Sequence, residues 1–313
     1  MVESTHPARG YTIALSSAAV LSTTAIFIRY LTQTYRLPAL VLAFWRDGFV
    51  ALTLLVILGL WVPDRLRIRR THLGYLAAYG LVLAAFNGVW TLSVALNGAA
   101  LATVLVYCSA AFTAVLGWWL LREHLGWVKV LAVAITLTGT VLISGVLDPA
   151  VRDTNVPGIG TGILSGLGYA AYSLLGRSAS QRGLNPWTTL FYTFGFAAVF
   201  LLLPNVVPGG LLPGSAARPA DLLWLGRAGA GWGLLFLLAA GPTVAGFGLY
   251  NVSLTYLPSS VANLVVTLEP AFTALIAYLV LGERLTEIQI AGSLTILAGV
   301  VFLRIFGGWP ERS

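Results

Sequence analysis

A chain of 313 residues that is 58% hydrophobic and only 9% charged carries too few charges to solvate the outside of a soluble domain of its size, and its mean hydropathy of +0.87 points to a bilayer. The net charge of +7 does not mark a nucleic-acid partner, because the basic residues stand at the ends of apolar segments and not in an aromatic-interleaved patch. Cys108 is the only cysteine and His6, His72 and His124 lie far apart, so neither a disulfide within the chain nor a Cys/His metal site is expected, and no cofactor is implied.

The apolar segments run to about 20 residues each, which fits spanning helices and not the short alternating strands of an outer-membrane barrel. In chain order, the windows between charged or Pro/Gly-rich breaks give ten spans at 10–31, 38–61, 72–96, 98–121, 126–146, 157–179, 186–205, 226–250, 258–281 and 286–306. Met1 to Arg9 is short and polar, shows no small-residue cleavage site, and is read as a retained tail. Several connections are a few residues long, so the spans they join are antiparallel neighbours. With the N-terminus in the cytoplasm, eleven of the 18 basic residues fall inside, six fall outside, and Arg46 lies within a span. The cluster Arg65, Arg67, Arg69 and Arg70 dominates that bias, and both termini are expected in the cytoplasm.

The chain repeats itself. Ala111 to Ala114 (Ala-Phe-Thr-Ala) recurs as Ala271 to Ala274, and Glu123-His124-Leu125 as Glu283-Arg284-Leu285, at a constant shift of 160. Earlier, Arg29, Gln33 and Pro38 recur as Arg177, Gln181 and Pro186 at a shift of 148, together with a small-residue face, Gly10, Ala14 and Ala18 falling on Gly158, Gly162 and Gly166. The extra 12 residues fall in the Pro/Gly-rich connector Pro204 to Asp221. Five spans separate the copies, so equivalent segments cross in opposite directions. The expected fold class is an all-α integral membrane protein of ten transmembrane helices in two inverted five-helix repeats, 1–150 and 151–313, acting as one transport unit.

Ten spans in two halves, each closing its fourth span with Ala-Phe-Thr-Ala and Glu-x-Leu, resemble the EamA-type branch of the drug/metabolite transporter superfamily, with the YddG-type amino-acid exporters as the nearest suggestion. Arg122 stands where the second copy has Gly282, so the first motif is imperfect. The resemblance implies a secondary transporter with a central cavity between the halves, exporting a small-molecule substrate across a bacterial inner membrane, among lipids and without nucleic acid.

An ionisable residue inside a span needs an interior partner or a wet cavity. Glu269 is the clearest case: it lies about halfway along span nine before Pro270, whose missing N–H leaves the Val266 carbonyl without its helical partner. Such a carboxylate can hold a substrate ammonium or a coupling proton; its alternative is a packing role. Arg46 and Asp47 are adjacent in span two, about 100° apart on a helix, and form a candidate charge network toward neighbouring helices or a substrate. Asn87, Trp90 and Thr91 share one face of span three. Tyr107, Tyr169, Tyr172, Tyr250 and Asn263 are further candidates for lining the cavity, and Gly241 with Pro242 in span eight and Pro270 in span nine are candidate helix hinges. Glu123 and Glu283, at span ends, are expected to cap or pair with the following helix. No metal site is expected. Export of amino acids by alternating access is the first reading and export of cationic compounds the second. A membrane-embedded lipid-modifying enzyme is the alternative of another class, for which the chain offers no Gly-x-Ser-x-Gly, P-loop or soluble domain.

Overall fold

In a bilayer every backbone polar group must find its partner within the protein, and an Ala-, Leu- and Val-rich chain does so as helices. The computed structural model describes residues 7–143, 156–207, 209–210, 212–281 and 286–306, and among these there is no strand. The first half runs α1 (Pro7–Leu21), α2 (Thr24–Thr34), α3 (Ala39–Trp61), α4 (Arg70–Val106), α5 (Ser109–Leu121) and α6 (Trp127–Ile143). The second runs α7 (Val156–Gln181), α8 (Pro186–Val206), α9 (Gly229–Leu238), α10 (Val244–Tyr256), α11 (Ser259–Val266), α12 (Glu269–Leu281) and α13 (Glu287–Phe306), with a π-helical turn Ala239–Thr243 between α9 and α10. Ala8–Thr34, Ala39–Trp61, Arg70–Leu96, Pro186–Val206 and Gly229–Tyr256 are each long and apolar enough to cross a membrane. The protein is an all-α integral membrane protein.

Local sequence sets the helix ends. Asn185 opens α8 by accepting from the N–H groups of Trp187 (3.0 Å) and Thr188 (3.3 Å), with Pro186 at the first helical position where no donor is needed. Two ends of the molecule are then tied separately. At one end the arginine-rich connection is pinned to α8, Thr188 Oγ1 donating to Arg65 O (2.8 Å) and the Tyr192 hydroxyl to Leu66 O (2.7 Å). At the opposite end Trp224 donates to Tyr35 O (2.9 Å), Trp45 to Leu222 O (2.7 Å) and Asn205 to Leu40 O (3.1 Å). Exposed Trp61, Trp119 and Trp127 lie near the arginine-rich end, as interfacial tryptophans do, and Leu52, Leu60, Leu203 and Leu294 form part of an exposed apolar surface.

The packing repeats with the halves exchanged. α1 packs on α10 as α7 packs on α4, and α1 touches α12 as α7 touches α5; α3 with α8 and α6 with α13 pair equivalent positions of the two halves. The small-residue faces allow this closeness. Ala14 and Ala18 are fully buried, and a Cβ on Gly166 would lie 3.1 Å from the carbonyl oxygens of Leu105 and Val106.

Two features depart from the ten straight spans. α4 has helical backbone at each of its 37 residues, with no non-helical residue marking the boundary where the sequence reads two spans, 72–96 and the start of 98–121. A straight helix of that length would run about 55 Å, yet Trp90 and Tyr107 line one small cavity. The chain therefore reverses between them. At the equivalent point of the second half Pro258 lacks an N–H, and the helix stops at Tyr256 before α11 begins at Ser259. Conversely, span one is interrupted at Ser22–Thr23, span four at Tyr107–Cys108 and span nine at Thr267–Leu268. The last two breaks coincide under the shift of 160.

Candidate functional site

The three breaks converge. Thr273 Oγ1, on α12, donates to Ser22 O at the first break (3.0 Å), and the Tyr107 hydroxyl, at the second, donates to Glu269 Oε2 just past the third (2.5 Å). Between them lies a cavity of about 30 Å³. Its wall is aromatic at Phe86, Trp90, Tyr107, Tyr169 and Phe247, aliphatic at Leu21 and Val106, and polar at Thr24 and Glu269. Phe86 and Tyr169 stack face to face with centroids 5.0 Å apart, joining α4 to α7. Glu269 is only 8% exposed, and no described basic side chain stands within ion-pair distance of it. Thr24 Oγ1 is buried without a hydrogen-bond partner. Pro270 is the second residue of α12, in a first turn where a missing N–H costs little, so the interruption precedes it.

Toward the arginine-rich end the cavity floor is a buried polar layer. Tyr172 accepts from Asn251 Nδ2 (2.9 Å), the hydroxyls of Tyr250 and Ser173 share a bond (2.7 Å), Asn263 Nδ2 donates to Ser173 Oγ (3.2 Å), and Ser109 Oγ donates to Asn263 Oδ1 (3.0 Å). The Tyr79 and Tyr172 rings, 4.9 Å apart, fill the remaining space. Of the tyrosines expected in the cavity, Tyr107 and Tyr169 line it; Tyr172 and Tyr250, with Asn263, form the layer beneath.

Toward the opposite end lies the charge network. Arg46 and Asp47, though adjacent in sequence, do meet, Nε to Oδ1 at 3.3 Å. Asn87 Nδ2 reaches both oxygens of Asp47 at 2.9 Å, which draws Asn87 from the cavity to α3. Thr91 Oγ1 donates back to Asn87 O (2.7 Å), so of the expected face only Trp90 reaches the cavity wall. Arg46 lies over the Trp90 ring, 5.8 Å from its centroid.

Glu123 does not cap the following helix. Arg122 ends α5 in the left-handed region (φ 55°), so the chain turns back and the Glu123 carboxylate reaches α11 of the other half. Oε1 accepts from Ser259 N (2.7 Å) and Ser259 Oγ (2.6 Å), and Oε2 accepts from Ser260 N (3.2 Å) and Ser260 Oγ, where Lys129 Nζ also donates (2.9 Å). Pro258 supplies no side-chain cap to α11, and this carboxylate takes that place at the positive end of the helix. A Cβ on Gly117 would lie 2.9 Å from Glu123 Oε2. Glu283 lies outside the described residues.

Gly241 and Pro242 fall in the π-helical turn. Pro242 cannot supply the N–H that Leu238 O would accept in an α-helix; the π-helical register passes that oxygen to residue 243, whose Oγ1 also donates to it (2.7 Å). Among the described residues no group of His, Cys, Asp and Glu side chains has the arrangement of a metal site. Leu21, Thr24, Phe86, Val106 and Phe247 are cavity residues that no local signal distinguishes from other helix residues of their type.

The EamA-like transporter family matches the chain twice, over residues 8–145 and 156–305. An uncharacterized transporter of Archaeoglobus fulgidus is 29% identical over 286 residues, covering 91% of this chain and 92% of that one. A probable terminal-alkyne amino-acid exporter of Streptantibioticus cattleyicolor is 37% identical over 60 residues, 19% of this chain and 20% of that one. A solved structure described only as a protein superposes with a TM-score of 0.72 at 14% identity over 94% of this chain and 96% of its own, a likeness of fold.

Proposed function

We propose, from the premise that this chain belongs to the EamA-like transporter family, that it exports small amine-bearing metabolites, amino acids first, by alternating access of its two halves. One observation carries the reading: a carboxylate with no described cationic partner, Glu269, faces an aromatic cavity where two symmetry-related helix breaks meet. A substrate ammonium supplies the missing positive charge, and the surrounding rings favour it further through their negative faces. The same carboxylate can carry a proton on the return stroke, which couples export to the proton gradient. The limited similarity to a protein named as a probable amino-acid exporter supports the choice of amino acids over cationic compounds.

A cavity of about 30 Å³ holds water, not an amino acid. The structure is therefore a closed form, and substrate entry requires the halves to part. The floor of buried tyrosines and asparagines, together with the Glu123 clasp, seals the arginine-rich end and is the barrier that opens in the opposite state. The arginine cluster supports the reading that this end faces the cytoplasm of a bacterial plasma membrane, with both termini on the same side. Uptake of radiolabelled amino acids into proteoliposomes of the purified protein tests the reading, with lipid-transfer and hydrolase assays beside it. Concentrative or exchange flux supports it; lipid modification without any flux overturns it.

A further inference from the structure

The Arg46 network is incomplete in a way that a structural clamp is not. Arg46 is 1% exposed, yet its only described ion pair is the 3.3 Å contact of Nε with its own neighbour Asp47. Its Nη2 is buried with no hydrogen-bond partner. Asp47 has little left to offer, because both its oxygens already accept from Asn87 Nδ2. Asn87 Oδ1 is also buried and unpartnered, so the network lacks an acceptor for one of its groups and a donor for another. A buried guanidinium in this condition favours an added carboxylate, whose planar oxygens match its fork.

One side chain links this guanidinium to the cavity: Trp90 lines the cavity, and Arg46 Cζ lies 5.8 Å from its ring centroid. The cavity has to enlarge before any amino acid fits, and a swing of Trp90 both enlarges it and opens it to Nη2. Glu269 then stands as the negative pole of the widened space and Arg46 as the positive one.

We propose that Arg46 is the specificity-determining residue for the substrate carboxylate, with Trp90 as the shutter between it and the cavity, so that the protein selects zwitterionic amino acids over amines lacking that group. The proposal rests on the amino-acid reading of Glu269 and adds the second pole to it. It excludes a transporter that is indifferent to the carboxylate.

The test is counterflow in proteoliposomes of the full chain with radiolabelled phenylalanine and leucine, each in competition with its carboxamide and its decarboxylated amine. The wild type is expected to prefer each acid over its amide by about tenfold or more, a difference of about 1.4 kcal/mol. Arg46→Gln should erase that preference while amine flux persists. Arg46→Gln with Asp47→Asn removes both charges together and leaves no unpaired buried carboxylate, so it serves if the single variant does not fold. Trp90→Ala should speed binding of the acid without changing the preference. Equal competition by acid and amide in the wild type overturns the carboxylate pocket while leaving amine export intact, and so does a preference that survives loss of Arg46. Absence of flux for acid and amine alike overturns the amino-acid reading and this proposal together.

Discussion

The Tyr107 hydroxyl donates to Glu269 Oε2 at 2.5 Å, and the two residues belong to opposite halves of the chain. Tyr107 opens the break between α4 and α5; Glu269 follows the break between α11 and α12, at the same place in the repeat. A charged acceptor makes this bond strong, worth about 1.5–3 kcal/mol net. Tyr107→Phe should therefore lower the melting temperature in detergent and reduce flux, since it leaves the carboxylate without its described donor. Unchanged melting and unchanged flux would show that the bond contributes nothing.

The Glu123 clasp joins α5 to the start of α11 through four accepted hydrogen bonds. If it holds the arginine-rich end shut, Glu123→Ala should raise the labelling rate of a cysteine at Ala262, a fully buried position on α11, by about tenfold, which is about 1.4 kcal/mol in the opening equilibrium. The background carries Cys108→Ser, and a hydrophilic maleimide is added from the arginine-rich side. A rate equal to that of the intact clasp would show that the seal lies elsewhere.

At the π-helical turn, Thr243 Oγ1 adds a side-chain hydrogen bond to Leu238 O. Thr243→Val keeps the shape but removes that donor, a cost of about 0.5–1.5 kcal/mol. Thr243→Ser keeps the donor. Detergent melting should fall for valine and stay near wild type for serine; equal effects would assign the role of Thr243 to packing.

Much of this architecture is legible in the sequence because a duplication leaves a register. The shift of 160 that aligns Ala-Phe-Thr-Ala also aligns Tyr107–Cys108 with Thr267–Leu268, where both copies break. The breaks themselves leave a fainter mark: neither Ser22–Thr23 nor Tyr107–Cys108 contains a proline or glycine, and at the first the Ser22 and Thr23 hydroxyls donate to Ala19 O and Val20 O three residues back. Glu269 stands out because a carboxylate in an apolar run is costly, whereas Phe86 or Phe247 in such a run is ordinary. Asn87 shows the limit of face arguments. Its spacing with Trp90 is helical, but Asp47 on the preceding helix offers an ionic acceptor and takes the amide away from the cavity. Glu123 at a span end is visible as a residue, yet its partner lies 136 positions away and only the fold supplies it.

The arginine cluster predicts an orientation with both termini in the cytoplasm. An alkaline-phosphatase fusion at the C-terminus should be inactive and one made after Trp224, at the opposite end, active. The reverse pattern would place the Glu123 clasp outside the cell and exchange the two faces of the transport cycle.

The central claim is that Glu269 binds and titrates as part of transport. Glu269→Gln keeps the size of the side chain and an acceptor for the Tyr107 hydroxyl, but removes the charge and the exchangeable proton. The measurement is amino-acid flux into proteoliposomes across about pH 5 to 8, where a working acid or base imposes its own pH profile, with the detergent melting temperature of both proteins alongside. The account predicts a Gln variant that melts near the wild type, transports at least tenfold less, about 1.4 kcal/mol, and has lost the pH dependence of the parent. Flux unchanged at every pH, with only the melting temperature lowered, would contradict it and leave Glu269 a packing residue.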